Sequence, residues 1–369
     1  VTRPLAHLIL VFAAALLVTG TAVVRRGVRM GGDTGRYTQG AVHLLYGQPF
    51  QDKEASYLGY IAVVAVAIAS NAQPSVVVIA QIIVSAFAAV ALYLLGRDLY
   101  GPTGGLAAAA IFIANMDVAR WAAFLLTDSL YISFVAFSLL AIHRARSVPT
   151  AIVAVLTIVF TALLRPNGWM FIPIAAVYWI LRATTGRTRA FKATSIAIVL
   201  VAFVVITAAV SPVKKAVDAE RPEHWLRAGV VLWNSDAWLV TMPIDRVEGS
   251  GWTSGLHYGL RHPIASARLA LIRVGAELYH ARPSFDARRN LWIFCFYLPL
   301  YILAAIGFAR ARHEALARLA AAVVVAHLAL VALTFADNDG RFLLYCVPSL
   351  SLFAGGGAAE LLSRARAKA

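Results

Sequence analysis

The chain has 369 residues, 60% of them hydrophobic and only 14% charged, with a net charge of +15 at neutral pH. Its mean hydropathy is +0.74. Soluble domains carry roughly 25% charged residues, so this composition excludes an ordinary soluble protein. Repeated apolar runs approach the ~20 residues needed to cross a bilayer, which reads as an all-α, multi-spanning membrane protein. The two cysteines, Cys295 and Cys346, both sit in apolar runs, so no disulfide framework is implied.

The first apolar run, Leu5 to Val24, is too long for a signal-peptide core and reads as a retained helix. Further spans are expected at 75–96, 103–116, 129–143, 150–164, 167–181, 192–210, 291–309, 317–335 and 342–361, about ten in all. The run Tyr57 to Ser70 is too short to count among them and reads as a juxtamembrane or re-entrant piece. The chain is thus expected to divide into an N-terminal transmembrane module 1–210 with a first external loop 25–74, an external amphipathic segment 211–290, and C-terminal transmembrane helices 291–369.

Charge sets the orientation. With Arg3 in the cytoplasm, Arg97, Arg144, Arg146, Arg182, Arg187, Arg189, Lys192, Arg310, Arg312, Arg318, Arg364, Arg366 and Lys368 all fall inside. This is the positive-inside pattern, so the net charge reflects topology and not nucleic-acid binding. Arg25, Arg26 and Arg29 break it by standing outside, just past the first helix.

Within the first external loop, Gly31-Gly32-Asp33-Thr34-Gly35-Arg36-Tyr37 places an acid between glycines that allow tight turning and close approach. Tyr37, Ala41, Leu44 and Leu45 then recur at helical spacing, as in a short amphipathic helix lying on the membrane. Asp128 stands at the lip of a span; it either caps the helix beginning at Ser129 or faces a cavity or a cation. Arg165 before Pro166, and Arg341 after Asp337-Asn338-Asp339-Gly340, stand at external helix ends. They either snorkel to headgroups or offer guanidinium forks to a phosphate. Arg36, Lys53, Arg268 and the pair Arg25-Arg26 are further candidates for that task. In the long external segment, Ile264, Ala267, Leu271, Val274 and Leu278 form an apolar helical stripe behind His262-Pro263, with Arg268, Arg273 and Glu277 on the other faces. Trp225, Trp233, Trp238 and Trp252 read as interfacial anchors. Gly355-Gly356-Gly357 reads as a close helix contact. No histidine pair has metal-site spacing, and neither a phosphate loop nor a nucleophile elbow is present. With no nucleotide-binding domain, an enzyme built this way would draw its activated substrate from the membrane.

In order, these features resemble the GT-C superfamily of integral-membrane glycosyltransferases, in particular the branch of protein O-mannosyltransferases and lipid A aminoarabinose transferases. The likeness rests on Asp33 with Tyr37, Ala41, Leu44-Leu45 and Gly47; on the piece 57–70; and on Leu94-Leu95-Gly96-Arg97-Asp98-Leu99-Tyr100-Gly101. It continues with Thr127-Asp128, Leu163-Leu164-Arg165-Pro166, Arg261-His262-Pro263 and Arg341-Phe342 with Pro348. Two features depart from it: Asp33 is followed by Thr34 where O-mannosyltransferases show Asp-Glu, and the juxtamembrane piece opens with Glu54-Ala55-Ser56-Tyr57 instead of a His-Pro-Pro-like or Lys-Pro-like sequence. The resemblance implies a GT-C fold, a polyprenyl-phosphate sugar donor, and a lipid, glycan or protein acceptor. It implies an inner-membrane enzyme acting on the extracytoplasmic face. No cofactor is expected, and the use of a divalent metal stays open. Asp33 would be the general base, and Asp128 would orient the acceptor or a cation. Arg165 and Arg341 would meet the leaving phosphate, with Arg36, Tyr37, Lys53, His262 and Arg268 as further substrate contacts. A flippase for a lipid-linked glycan, or a surface-polysaccharide polymerase or ligase, would use a similar basic cavity.

The topology has a direct check. Reporters fused after His143 and after Arg189 should both read cytoplasm; an external signal at either would reject the ten-span arrangement.

Overall fold

The computed structural model describes residues 3–51, 53–184, 188–209, 222–233, 235, 238–245 and 252–368. Arg187 of the basic cluster, residue 210 of the expected span 192–210, and 211–221, 234, 236–237 and 246–251 of the external segment lie outside these residues. The described chain is all-α. Its helices are α1 (Arg3–Arg26), α2 (Thr34–Leu45), α3 (Leu58–Ala69), α4 (Pro74–Ala114), α5 (Met116–Trp121), α6 (Asp128–Arg144), α7 (Val148–Leu164) and α8 (Phe171–Ala183). There follow α9 (Arg189–Ala209), α10 (Pro222–Arg227), α11 (Trp252–Arg261), α12 (Pro263–Tyr279), α13 (Ala287–Ala311), α14 (Ala315–Leu333), α15 (Arg341–Leu344) and α16 (Val347–Lys368). Turns of 3₁₀ helix cover Glu54–Tyr57 and Pro166–Met170.

Among the described residues, four helical segments are long and apolar enough to cross a membrane: Leu5–Arg26, Pro74–Ala114, Ala287–Ala311 and Ala315–Leu333. The other segments expected to span include shorter helices, such as α6 and α7 with 17 residues each and α8 with 13. Helix α3 has 12 residues, about 18 Å at 1.5 Å per residue, against a hydrocarbon core of ~30 Å.

The chain divides into two compact units, 1–178 with 295–323 and 344–369, and 179–294 with 324–343.

In the first unit the expected spans 75–96 and 103–116 are the two arms of one helical hairpin. Gly101 breaks α4 with φ 79° and ψ 179°, a backbone conformation that suits glycine. The arms then fold together so closely that a Cβ on Gly96 would stand 2.8 Å from the Gly105 Cα. The glycine run of α16 enters the same seam: a Cβ on Gly355 would strike the Gly104 carbonyl and Ala108, and one on Gly356 the Tyr100 ring. The close helix contact expected for 355–357 is therefore present. Helix α1 lines the other side of α4 through Phe12 on Phe87 and His7 Nδ1 at 3.0 Å from Tyr93 Oη. Helices α6 and α7 join through Ser138 and Thr161, whose hydroxyls lie 2.9 Å apart. Helix α3 packs on α7, with Gly59 against Leu163.

The second unit has a core of Val231, Leu232, Met242, Tyr258, Leu269, Ala276, Val331 and Ala336. Helix α12 forms behind His262-Pro263 as the sequence reading expects, and the apolar stripe is not its buried face. Its inward face is Leu269, Arg273, Ala276 and Glu277, while Ile264 and Leu271 are 85% and 73% exposed. Arg273 is wholly buried because its guanidinium satisfies three backbone carbonyls, those of Val230, Ala332 and Trp225 at 2.8–3.1 Å. Hydrogen bonding by Arg273 thus joins the burial of Leu269 and Ala276 in setting which face turns in. Trp225 and Trp233 are half-buried and pack against Phe335.

Candidate functional site

The site in the first unit is built where two loops are fastened together. The Arg29 N–H donates to the Ala123 carbonyl and the Leu125 N–H to the Arg29 carbonyl, both at 2.9 Å. The Thr34 hydroxyl receives the Gly31 N–H at 2.8 Å and donates to the Leu125 carbonyl at 3.1 Å. Gly31 permits this approach; a Cβ there would sit 2.8 Å from Leu126 Cδ1. From beneath, buried Gln81 of α4 donates to the Ala122 and Phe124 carbonyls and accepts from Tyr60 Oη. One loop delivers Asp33 to the start of α2; the other delivers Asp128 to the start of α6.

Asp33 precedes α2 without capping it. Its carboxylate instead accepts from Arg36 Nη1 at 2.9 Å, and its side chain is 31% exposed. Asp128 is almost wholly buried and does not cap α6, whose N-cap is Thr127. Its Oδ1 accepts from Arg165 Nη1 at 2.8 Å and from Tyr345 Oη at 2.5 Å. Arg165 also donates to Thr127 Oγ1 at 2.9 Å and is 7% exposed, so it does not snorkel. Its extended backbone, φ −155° and ψ 148°, is the conformation that the following Pro166 favours.

Aromatic rings hold these cations. The Arg165 guanidinium lies over Tyr345 at 5.1 Å and Tyr57 at 5.9 Å, and that of Arg36 over Tyr57 at 5.8 Å. Tyr57 is in turn set edge-on against Tyr37. Burial pushes the Tyr37 phenol above its ordinary range; neighbouring Tyr57, Asp33 and Asp128 add to this and Arg165 opposes it, so both carboxylates bear on one hydroxyl. Tyr57 is seated by a buried pair, His43 Nδ1 at 2.8 Å from Glu54 Oε2, which also accepts the Gln51 N–H. Of the amphipathic set expected in α2, Tyr37 and Ala41 are buried while Leu44 and Leu45 are about 40% exposed.

Tyr345 was not recognised in the sequence. It follows Arg341 by one helical turn within an apolar run, and nothing local separates it from a core tyrosine.

The remaining expected residues divide as follows. Lys53 precedes the 3₁₀ turn that carries Tyr57. His262, Arg268 and Arg341 belong to the second unit. His262 Nε2 lies 3.3 Å from Asp245 Oδ2, and Arg268 is exposed. Arg341 donates from Nε and Nη2 to the Asp337 carboxylate at 3.1–3.3 Å. The Asp337 and Leu343 N–H groups, on either side of Arg341, both donate to buried Glu277, at 3.0 and 2.6 Å. Burial pushes Glu277 up to about 7; Asp337 adds to this, while Arg282 and the two N–H donors oppose it.

No protein-family model and no curated protein matches the chain. Among solved structures it is similar to the archaeal oligosaccharyltransferase AglB from Archaeoglobus fulgidus, in complex with an inhibitory peptide and a dolichol-phosphate. The TM-score is 0.53 at 13% identity, over 97% of this chain and 50% of that one. The chain therefore spans about half the length of that protein and shares its fold. The likeness is one of fold and does not single out the O-mannosyltransferase and aminoarabinose transferase branch.

Two outcomes follow from this geometry. Arg165→Met leaves the Asp128 carboxylate buried without its cation and should cost about 3–5 kcal/mol, read as a fall in Tm in detergent. A Tm unchanged from wild type would show that the pair carries no stability. For Glu277, whose carboxyl is raised from 4.5 to about 7, the folded chain retains a proton that the unfolded chain has released across that window. Its contribution to stability is therefore full below the lower value and lost as pH rises through the upper one. Glu277→Gln should flatten that fall in a Tm series from about pH 4 to about pH 8.

Proposed function

We propose that this protein is a membrane glycosyltransferase. It moves a sugar from a polyprenyl-phosphate donor to an acceptor hydroxyl on the extracytoplasmic face, with inversion at the anomeric carbon. The observation that carries this reading is the contrast between two carboxylates at one place. Asp128 is buried and bonded to Arg165 and Tyr345; Asp33, nearby, is one-third exposed and paired with Arg36. A general base must reach a proton on a bound substrate, and Asp33 has that access. The likeness in fold to an oligosaccharyltransferase whose structure contains a dolichol-phosphate supports a lipid-linked donor.

In the proposed reaction the acceptor oxygen attacks the anomeric carbon while the bond from that carbon to the phosphate oxygen breaks. The acceptor proton passes to Asp33. The electron pair leaves with the polyprenyl phosphate, whose growing charge calls for cations more than for an acid. Arg36 and Arg165 are the cations of this unit suited to it. Asp128, Thr127 and Tyr345 keep the Arg165 fork oriented, and Tyr37 and Tyr57 wall the site with Lys53 beside them. In the second unit Arg341 is the corresponding candidate for phosphate contact, with His262 and Arg268 as further substrate contacts.

Asp33→Asn keeps the size of the side chain but cannot take the proton. Glycosyl transfer should fall about 10²–10⁴-fold, with donor binding little changed. Asp33→Glu should also be impaired, since the base moves by a methylene relative to the line of attack. Transfer from a polyprenyl-phosphate sugar, with donor binding measured separately, makes the check. Full turnover by Asp33→Asn would remove Asp33 from the mechanism, and transport with no glycosylated product would favour a flippase.

A further inference from the structure

Arg26 and Arg29, two of the three arginines that break the positive-inside pattern, meet a fourth that the sequence does not place beside them. Helix α5 packs against the end of α1, and Arg120 on α5 repels Arg26 together with Arg29. Asp117, buried on α5, is the acid that attracts Arg26. Arg26 thus lies within reach of two other guanidinium groups and one carboxylate, so positive charge is in excess around it. The basic residues ending α1 and α5 gain from the helix dipoles, but that effect is worth only about 0.3–1 kcal/mol each at a surface. It does not account for Arg120, whose Nη1 is buried with no hydrogen-bond acceptor among the described residues. A buried donor left unmade is costly, and its position beside two further arginines calls for an anion.

The surroundings identify what kind of anion. The Arg120 guanidinium lies over the Trp121 ring at 5.3 Å. Around the cluster Val24, Val28, Met30 and Met116 are 40–83% exposed. Helix α1 is one of the segments apolar enough to cross the membrane, and Arg26 is its last residue. Cations at a helix end ringed by exposed apolar side chains suit a phosphate that carries acyl or prenyl chains. Arg29 is held by its backbone to Ala123 and Leu125, so the cluster is fixed to the loop that leads to Asp128.

We propose that Arg26, Arg29 and Arg120 form a binding site for a lipid-borne phosphate, separate from the Asp33 site. The full chain is titrated in detergent with phosphatidylglycerol, phosphatidylcholine or inorganic phosphate, and bound lipid is counted by native mass spectrometry. The tightest phosphatidylglycerol should be retained by wild type, and its affinity should drop about tenfold or more in the Arg26→Gln/Arg120→Gln variant, given ~1 kcal/mol per basic residue. Arg144→Gln/Arg146→Gln, at another basic cluster, should leave it in place. A photoactivatable phosphatidylglycerol should label residues 24–30 and 116–124 of the wild-type chain, which tests the site even where the variant fails to fold. Equal retention by wild type and Arg26→Gln/Arg120→Gln, or labelling confined elsewhere, would overturn the site. Inorganic phosphate competing as well as the lipid would overturn the lipid assignment in favour of a free anion.

Discussion

A carboxylate and a guanidinium buried together at the ends of apolar helices constrain the first unit more than any other contact. Asp128 opens α6, Arg165 closes α7, and Tyr345 precedes α16. Moving either charge out of water alone would cost several kcal/mol, so each requires the other and the surrounding donors. The pair thus ties three helices at one level. Thr127 and the rings of Tyr57 and Tyr345 complete the surroundings of the guanidinium.

The loops above this pair are held just as firmly. Backbone bonds between Arg29 and residues 123–125, with Gln81 and Thr34 as side-chain fasteners, make the Asp33 loop and the Asp128 loop one structure. For the proposed chemistry this matters because a base is effective only when its geometry toward the substrate is fixed. The two carboxylates are chemically alike, and their surroundings assign them different work. One is buried with its arginine, and the other keeps about a third of its side chain exposed beside Arg36.

The second unit shows the same principle without the first unit's chemistry. Arg273, Arg282 and Glu277 are fully buried, and each is matched to backbone groups that would otherwise be unsatisfied. On α12, Arg273 and Glu277 share the inward face with Leu269 and Ala276 of the core, and Ile264 and Leu271 face outward. In a protein with membrane-crossing helices, an exposed apolar stripe carries little penalty where lipid covers it.

The sequence by itself determined the membrane class, the all-α architecture and the approximate bounds of most helices, because length and continuous hydrophobicity are local properties that one segment carries alone. It also singled out Asp33, Asp128 and Arg165, since charge at the edge of an apolar run is costly wherever the chain folds. It left open whether Asp128 capped a helix and whether Arg165 snorkelled. Only the tertiary structure decided these, by bringing together residues 37 and 217 positions from Asp128. The hairpin at Gly101, the inward face of α12 and the Arg120 cluster were hidden for the same reason. A glycine's neighbours, the carbonyls an arginine will cap and the charge that another helix brings are set by packing between distant segments, and periodicity within one segment carries no record of them.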